Sequence, residues 1–321
     1  MSKSENKPSI VKSSSFWGVA AAIIGVSLFS TVEIASKYVS ERAQIDAYMM
    51  VFMRFFVTAI LLLAFSAPTY LKQKGWPGWK DWKYFIINGL VGIAFSLSFF
   101  HLAIDMFENA SSSAVVFSAN AVFAIVIARF VNNEPWTLQK WCALILALCG
   151  VSLFIFEKGT PSVDALKAIL VMCLAAMGFA FSVCLTRKVV GNYGASFFMG
   201  ISSLLGSLFI LPVALFKLQG NLLTEIQNAW LPLAYIVFIG TAVAYVFYYE
   251  GLKRISAFIA SMIFFLKPGL ACILAWLIRG EKMNAWTISG TAIILVALLM
   301  TLMKKKPRPK NQEGTQPQAG E

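Results

Sequence analysis

Histidine is nearly absent from this chain. His101 is the only one in 321 residues, and a metal centre ordinarily draws on several His, Cys or carboxylate ligands. No metal site and no cofactor are therefore expected. The five cysteines, Cys142, Cys149, Cys173, Cys184 and Cys272, are odd in number, contain no C-x-x-C pair and fall inside apolar stretches. That pattern excludes a disulfide framework and reads as small core residues. No G-x-x-x-x-G-K-[ST] sequence occurs, so the chain has no phosphate-gripping loop, and any uphill work must draw on a gradient or a partner. H-E-x-x-H and paired-aspartate motifs are missing as well, which argues against an enzyme and against any catalytic residue. Charge is scarce: 13% of residues are charged and 59% hydrophobic, a balance that excludes an ordinary soluble domain.

What fills the chain instead is ten long apolar stretches. They run over Phe16–Tyr38, Ala47–Phe65, Tyr84–Leu102, Ser111–Val131, Trp141–Phe156, Leu166–Val190, Ser196–Phe216, Trp230–Glu250, Ala257–Leu277 and Ala285–Met303. A hydrocarbon core about 30 Å thick needs about 20 apolar residues of helix. Within it every backbone N–H and C=O must be satisfied internally, so stretches of this length are expected to be α-helices. The alternation that a barrel strand requires is absent. The first stretch is read as retained, because it is longer than a leader's apolar core and lacks a cleavage site of A-x-A type.

The stretches fall into two sets of five, and an odd number of crossings forces the second set to run inverted through the bilayer. The expected fold is an all-α integral membrane protein with ten transmembrane helices as two inverted five-helix repeats. Shifting the chain by 147 residues brings Phe117 onto Phe264, Asn120 onto Lys267, Ala124 onto Ala271 and Glu134 onto Glu281. The expected organisation is a cytoplasmic amino-terminal tail at 1–15, a first repeat at 16–156 and a link at 157–165. A second repeat at 166–303 and a basic, disordered tail at 304–321 complete it.

The chain carries 27 Lys and Arg against 15 Asp and Glu, a net charge of +12. With the amino terminus inside, 18 of the basic residues fall on the inner side, 7 on the outer side, and Arg54 and Lys267 within spans. This bias places both termini in the cytoplasm and the protein in the inner or plasma membrane. It also accounts for the basic balance without nucleic acid, since the charges lie scattered among short loops. Trp76, Trp79 and Trp82, crowded before the third span, read as an interfacial belt. Ser202-x-x-x-Gly206 and Ser203-x-x-x-Ser207 read as close-packing signals.

The segment from Leu266 through Lys267, Pro268 and Gly269 to Gly280-Glu281 resembles the fourth-helix signature of the drug/metabolite transporter superfamily, EamA type, in which a proline within the helix precedes a terminal Gly-Glu. The first half is similar but carries Ala121 opposite Pro268 and Asn133 where glycine is usual; Arg54-Phe55 also resembles a pair common in that family. The resemblance spans about residues 16–303 and implies a ten-helix inverted-repeat transporter of small organic solutes.

Polar residues inside spans carry the functional expectations, because an ionisable group at the bilayer centre costs about 2.5–3.5 kcal/mol on insertion scales and should not face lipid. Lys267 sits at the centre of the ninth span beside Pro268, which removes one helical N–H and breaks the helix at that depth. Lys267 is read as a substrate contact, or alternatively as a lysine tied to freed carbonyls or a buried acid. Asn120, at the equivalent depth, and Tyr248 complete the substrate-binding set. Glu33 and Arg54 are expected to form an ion pair, with Lys37 a rival partner for Glu33, and to serve coupling; Glu250 is the gate candidate. His101 and Asp105, one helical turn apart, read as interface markers or, alternatively, as a proton relay, and Glu134 and Glu281 as structural acids at helix ends.

These expectations combine into a secondary transporter that moves a small organic metabolite, an amino acid or organic anion, by alternating access as an exporter or exchanger. A coupling proton and a homodimer are compatible partners alongside the substrate and the bilayer. The alternatives are a channel or lipid scramblase, then a membrane-embedded enzyme.

Overall fold

The structure is a computed structural model that describes residues 8–133, 137–156, 160–218, 220–252, 254, 263 and 266–302. Among the described residues the secondary structure is helical throughout. Eight helices are long and apolar enough to cross a membrane: Phe16–Arg42, Ala47–Lys74, Trp79–Met106, Ala110–Val131, Leu138–Phe156, Val163–Tyr193, Ala195–Phe216 and Trp230–Gly251. They are called the first to eighth helices below. Two shorter helices follow, Leu266–Arg279 and Ala285–Leu302.

Several helices run past the apolar stretches. The second reaches Lys74 and the third reaches Met106, because lysine stems and aromatic rings extend a helix through the headgroup layer once its apolar part is anchored. Start signals are local: the Asp46 carboxylate accepts from the Tyr48 N–H at 2.8 Å, and the Ser162 hydroxyl from the Ala165 N–H at 3.0 Å. Gly194, at φ 73°, closes the sixth helix and turns the chain directly into the seventh.

The helices pair in a pattern that exchange of the two halves reproduces. The second packs on the seventh, the fifth on Ala285–Leu302 and the fourth on Leu266–Arg279. The first packs on the eighth and the third on the sixth, contacts that swap under the same exchange. The third helix contains a wide π-helical segment at Asn88–Phe95 and the eighth another at Tyr235–Val243, with starts 147 residues apart. The offset that aligned the halves by sequence thus also aligns their backbone irregularities, and such π segments concentrate at functional sites.

Two close approaches depend on glycine. A Cβ on Gly206 would lie 2.7 Å from the Gly89 carbonyl oxygen, so the Ser202-x-x-x-Gly206 signal is used against the third helix. A Cβ on Gly290 would lie 2.8 Å from the Gly150 carbonyl oxygen, which fixes how tightly the fifth helix meets Ala285–Leu302.

The interior is aromatic, with Phe55, Phe85, Phe100, Phe117, Phe154 and Phe198 buried in one cluster. The outside carries Phe65, Phe130, Phe216, Trp276 and Leu277, each at least 63% exposed except Trp276 at 62%. A chain that exposes such residues around the bundle is matched to lipid, and it is a multi-pass membrane protein. The cysteines depart from the core reading: Cys184 and Cys272 are buried, but Cys142 and Cys149 are exposed on the outside of the bundle. A thiol is apolar enough to face lipid, so its position in an apolar run leaves the facing undetermined.

Candidate functional site

The first helix is interrupted at Ser30–Thr31, where the Ser30 hydroxyl donates to the Val26 carbonyl at 2.9 Å and the Thr31 hydroxyl to Leu28 at 2.7 Å. The same two carbonyls also accept the Ser30 and Thr31 N–H groups at 3.0 and 3.2 Å, so the side-chain bonds reinforce the turn before the helix restarts at Val32. Glu33 therefore stands in the first turn of the restarted helix, fully buried. An acid is favoured there by the positive end of the helix dipole.

Across from it is Lys267, 4% exposed, whose Nζ donates to Glu33 Oε1 at 2.8 Å. The same ammonium lies 4.8 Å from the Phe117 ring centroid and 5.9 Å from that of Phe100. Four helices thus supply its surroundings: the first, the third, the fourth and Leu266–Arg279. The structure corrects the expected pairing of Glu33 with Arg54 or Lys37. Lys37 donates instead to the Phe107 carbonyl, and Glu33 is taken by the lysine of the other half. The second carboxylate oxygen, Glu33 Oε2, is buried with no hydrogen-bond partner, as are the hydroxyls of Ser36 and Ser112.

Arg54, 4% exposed, enters from the second helix. Its Nε donates to Thr241 Oγ1 at 2.9 Å, within the π segment of the eighth helix, and its Nη1 to His101 Nε2 on the third. An arginine has only donors to offer, so His101 Nε2 must be the unprotonated ring nitrogen. The guanidinium lies 5.4 Å from the Phe55 ring centroid. Among the described residues no carboxylate lies within ion-pair distance of Arg54. Phe100 faces Lys267 while the next residue, His101, bonds Arg54, so one turn of the third helix touches both cations.

The remaining site candidates are distributed around this network. Asn120 is buried but its amide donates to the Phe117 carbonyl at 2.7 Å, one turn back, where the fourth helix is interrupted at Ala119. It repairs that break, and through Phe117 it borders the Lys267 pocket. Pro268 is buried beside Lys267 within Leu266–Arg279. Tyr248 is half-buried, with its ring 5.9 Å from Phe29; Phe29 meets Tyr245 at 4.8 Å, and Tyr245 meets Phe55 at 6.2 Å. A run of rings thus leads from Tyr248 to the arginine. Glu250, lower on the same helix, borders a cavity of about 240 Å³ with Trp17, Phe247 and Arg254, and a smaller one with Phe65 and Ser196.

The opposite end of the bundle is tied by polar contacts across the two halves. Glu281 accepts from the Ala110 N–H at 2.9 Å, the Ser111 N–H at 3.0 Å and the Ser111 hydroxyl at 2.8 Å, capping the fourth helix. It also receives Arg279 Nε at 3.0 Å, and the same guanidinium reaches the Glu41 carboxylate at 2.7 and 3.3 Å. Tyr38 lies under Arg279 at 4.9 Å, and Ser40 donates to Asp105 at 2.5 Å. Glu281 is therefore a helix-capping acid, whereas Glu134 lies outside the described residues, as do Phe264 and the stretch from 255 to 262.

Sequence reasoning missed His101 and Thr241. His101 was assigned to the interface because the apolar run ends at Leu102, but the helix continues to Met106 and carries His101 into the interior at 3% exposure. The available signal was its being the chain's one histidine, a turn inside an apolar helix. Thr241 offered no signal, since a threonine within a membrane helix usually bonds its own backbone.

A helical bundle with ion-paired and hydrogen-bonded charges buried between spans defines a membrane protein of the transporter class. The model of the EamA-like transporter family matches residues 16–156 and 166–303. The chain belongs to that family. Its relatives include an uncharacterised transporter of Clostridium kluyveri, 27% identical over 90% of this chain and 94% of that one. They also include an S-adenosylmethionine uptake transporter of Rickettsia prowazekii, 21% identical over 93% of this chain and 97% of the other. A solved crystal structure superposes with a TM-score of 0.63 at 12% identity, covering 90% of this chain and 96% of its own, which is a likeness of fold.

Proposed function

We propose that the protein is a secondary transporter that carries a small organic metabolite, an amino acid or organic anion, across the inner or plasma membrane by alternating access. In this reading ten helices form two inverted five-helix repeats, 16–156 and 166–303, joined by 157–165, with both termini cytoplasmic. The observation that carries it is the buried charge network, in which Glu33 and Arg54 of the first half engage Lys267 and Thr241 of the second. Such bonds between halves hold one arrangement of a two-state bundle and can be exchanged for another when the halves rock. Lys267, Asn120 and Tyr248 stand on the wall of the substrate path, Glu33 and Arg54 couple its two arrangements, and Glu250 gates the end that bears the cavities.

The uptake function in the Rickettsia prowazekii relative's name supports a small organic solute. Export or exchange is the direction we assign to this chain. Pure protein reconstituted in liposomes should give saturable counterflow of at least one radiolabelled amino or organic acid. Flux that neither saturates nor exchanges would instead indicate a channel or scramblase.

A further inference from the structure

The two buried cations are not equivalent, and the difference says which of them is free to take a ligand. Lys267 is already neutralised by Glu33 at 2.8 Å and enclosed by the rings of Phe100 and Phe117. Arg54 has only neutral partners, Thr241 and His101, and its second terminal nitrogen has none among the described residues. The network of Lys267, Glu33, Arg54 and His101 therefore carries one positive charge without a counter-charge, buried at 4% exposure. An uncompensated guanidinium in a membrane interior is strongly unfavourable. In the same network Glu33, whose partner Lys267 shares the Phe100–His101 turn of the third helix with Arg54, keeps one buried carboxylate oxygen with no donor. The terminal nitrogens of Arg54 thus keep N–H groups beyond those taken by Thr241 and His101, and a free acceptor stands in the same network.

We propose that Arg54, held in orientation by Thr241 and His101, binds the carboxylate of the transported molecule, and that Glu33 Oε2 receives a hydrogen-bond donor on that molecule's neighbouring carbon. The substrate class is then an α-amino or α-hydroxy carboxylic acid. This rests on the transporter reading above and moves the anion contact from Lys267 to Arg54. A guanidinium meets a carboxylate with two parallel N–H donors. The ring under it at 5.4 Å keeps the guanidinium plane fixed. Lys267 has a different task, holding Glu33 aimed through its 2.8 Å bond to Oε1 while the ligand comes and goes.

The test is a thermal-shift series on detergent-purified wild type, Arg54→Gln and Arg54→Lys. The probes are the twenty L-amino acids, their carboxamides, and glycolate, lactate and malate. At least one acid should stabilise the wild type while its carboxamide does not. Arg54→Gln should weaken that acid on the order of 10- to 100-fold, the loss of a charge-assisted bond. Arg54→Lys should retain part of the affinity, which a purely structural arginine would not predict. An acid that binds Arg54→Gln as well as wild type, a carboxamide that binds as well as its acid, or silence of every acid with folded wild type would each overturn the proposal. Counterflow of the acid that binds separates the two readings. Binding that needs Arg54 without flux would sink transport and leave the anchor, whereas flux undiminished in Arg54→Gln would sink the anchor and leave transport.

Discussion

Removing either member of the Lys267–Glu33 pair should cost far more than removing both. With side chains 5% and 0% exposed, neither group can recover its lost charge partner from water. Stranding a buried charge costs about 3–5 kcal/mol, whereas replacing both members by apolar groups of similar volume is often neutral or stabilising. Hydrogen bonds between membrane helices average only about 0.6 kcal/mol in double-mutant cycles. The two descriptions therefore differ several-fold. Lys267→Met and Glu33→Leu, singly and together, can be measured by reversible unfolding in mixed micelles. The expected result is a loss of about 3–5 kcal/mol in each single variant, near wild-type stability in the double, and a coupling energy of several kcal/mol. Single losses below about 1 kcal/mol that simply add would refute the reasoning and reduce the pair to an ordinary interhelical hydrogen bond. The double variant should fold and yet fail in counterflow, because Glu33 no longer offers its second oxygen.

Glu281→Gln should lower stability by about 1–2 kcal/mol in the same unfolding assay, since a carboxylate that caps Ala110 and Ser111 and receives Arg279 becomes a neutral amide. Arg279→Gln should cost only about 1 kcal/mol on its Glu41 side, because Glu41 is 51% exposed; the larger expected effect is faster labelling of a cysteine placed at Ser111 by a membrane-impermeant thiol reagent, and an unchanged rate would remove the polar lattice as a seal. Gly290→Leu should destabilise by about 1–3 kcal/mol or more by driving side-chain atoms into the Gly150 carbonyl, while Gly269→Leu, where a Cβ would meet nothing within 4 Å, should be tolerated; equal effects would contradict the packing.

Much of the frame is legible in the chain itself. Apolar length dictates helices, because a low-dielectric solvent leaves backbone groups no other partner. The 147-residue offset that aligned Asn120 with Lys267 also separates the starts of the two π segments. The depth of Lys267, Glu33 and Arg54 could be counted along their helices, and the need to keep them from lipid followed from cost alone. The extent of the third helix was misread, since hydropathy stops at Leu102 while backbone hydrogen bonding continues to Met106.

The sequence by itself determined that the chain folds into long apolar helices and which charges must turn inward. Partner choice was decided by the tertiary structure alone. Position along a helix sets depth at 1.5 Å per residue, but two residues at one depth meet only if their helices are adjacent and rotated toward each other. Those are properties of packing. Glu33 and Arg54 were neighbours by depth, yet rotation gives Glu33 to Lys267 and turns Arg54 to Thr241 and His101. That exchange of partners leaves the arginine without a carboxylate partner among the described residues, and no count along the chain reveals it.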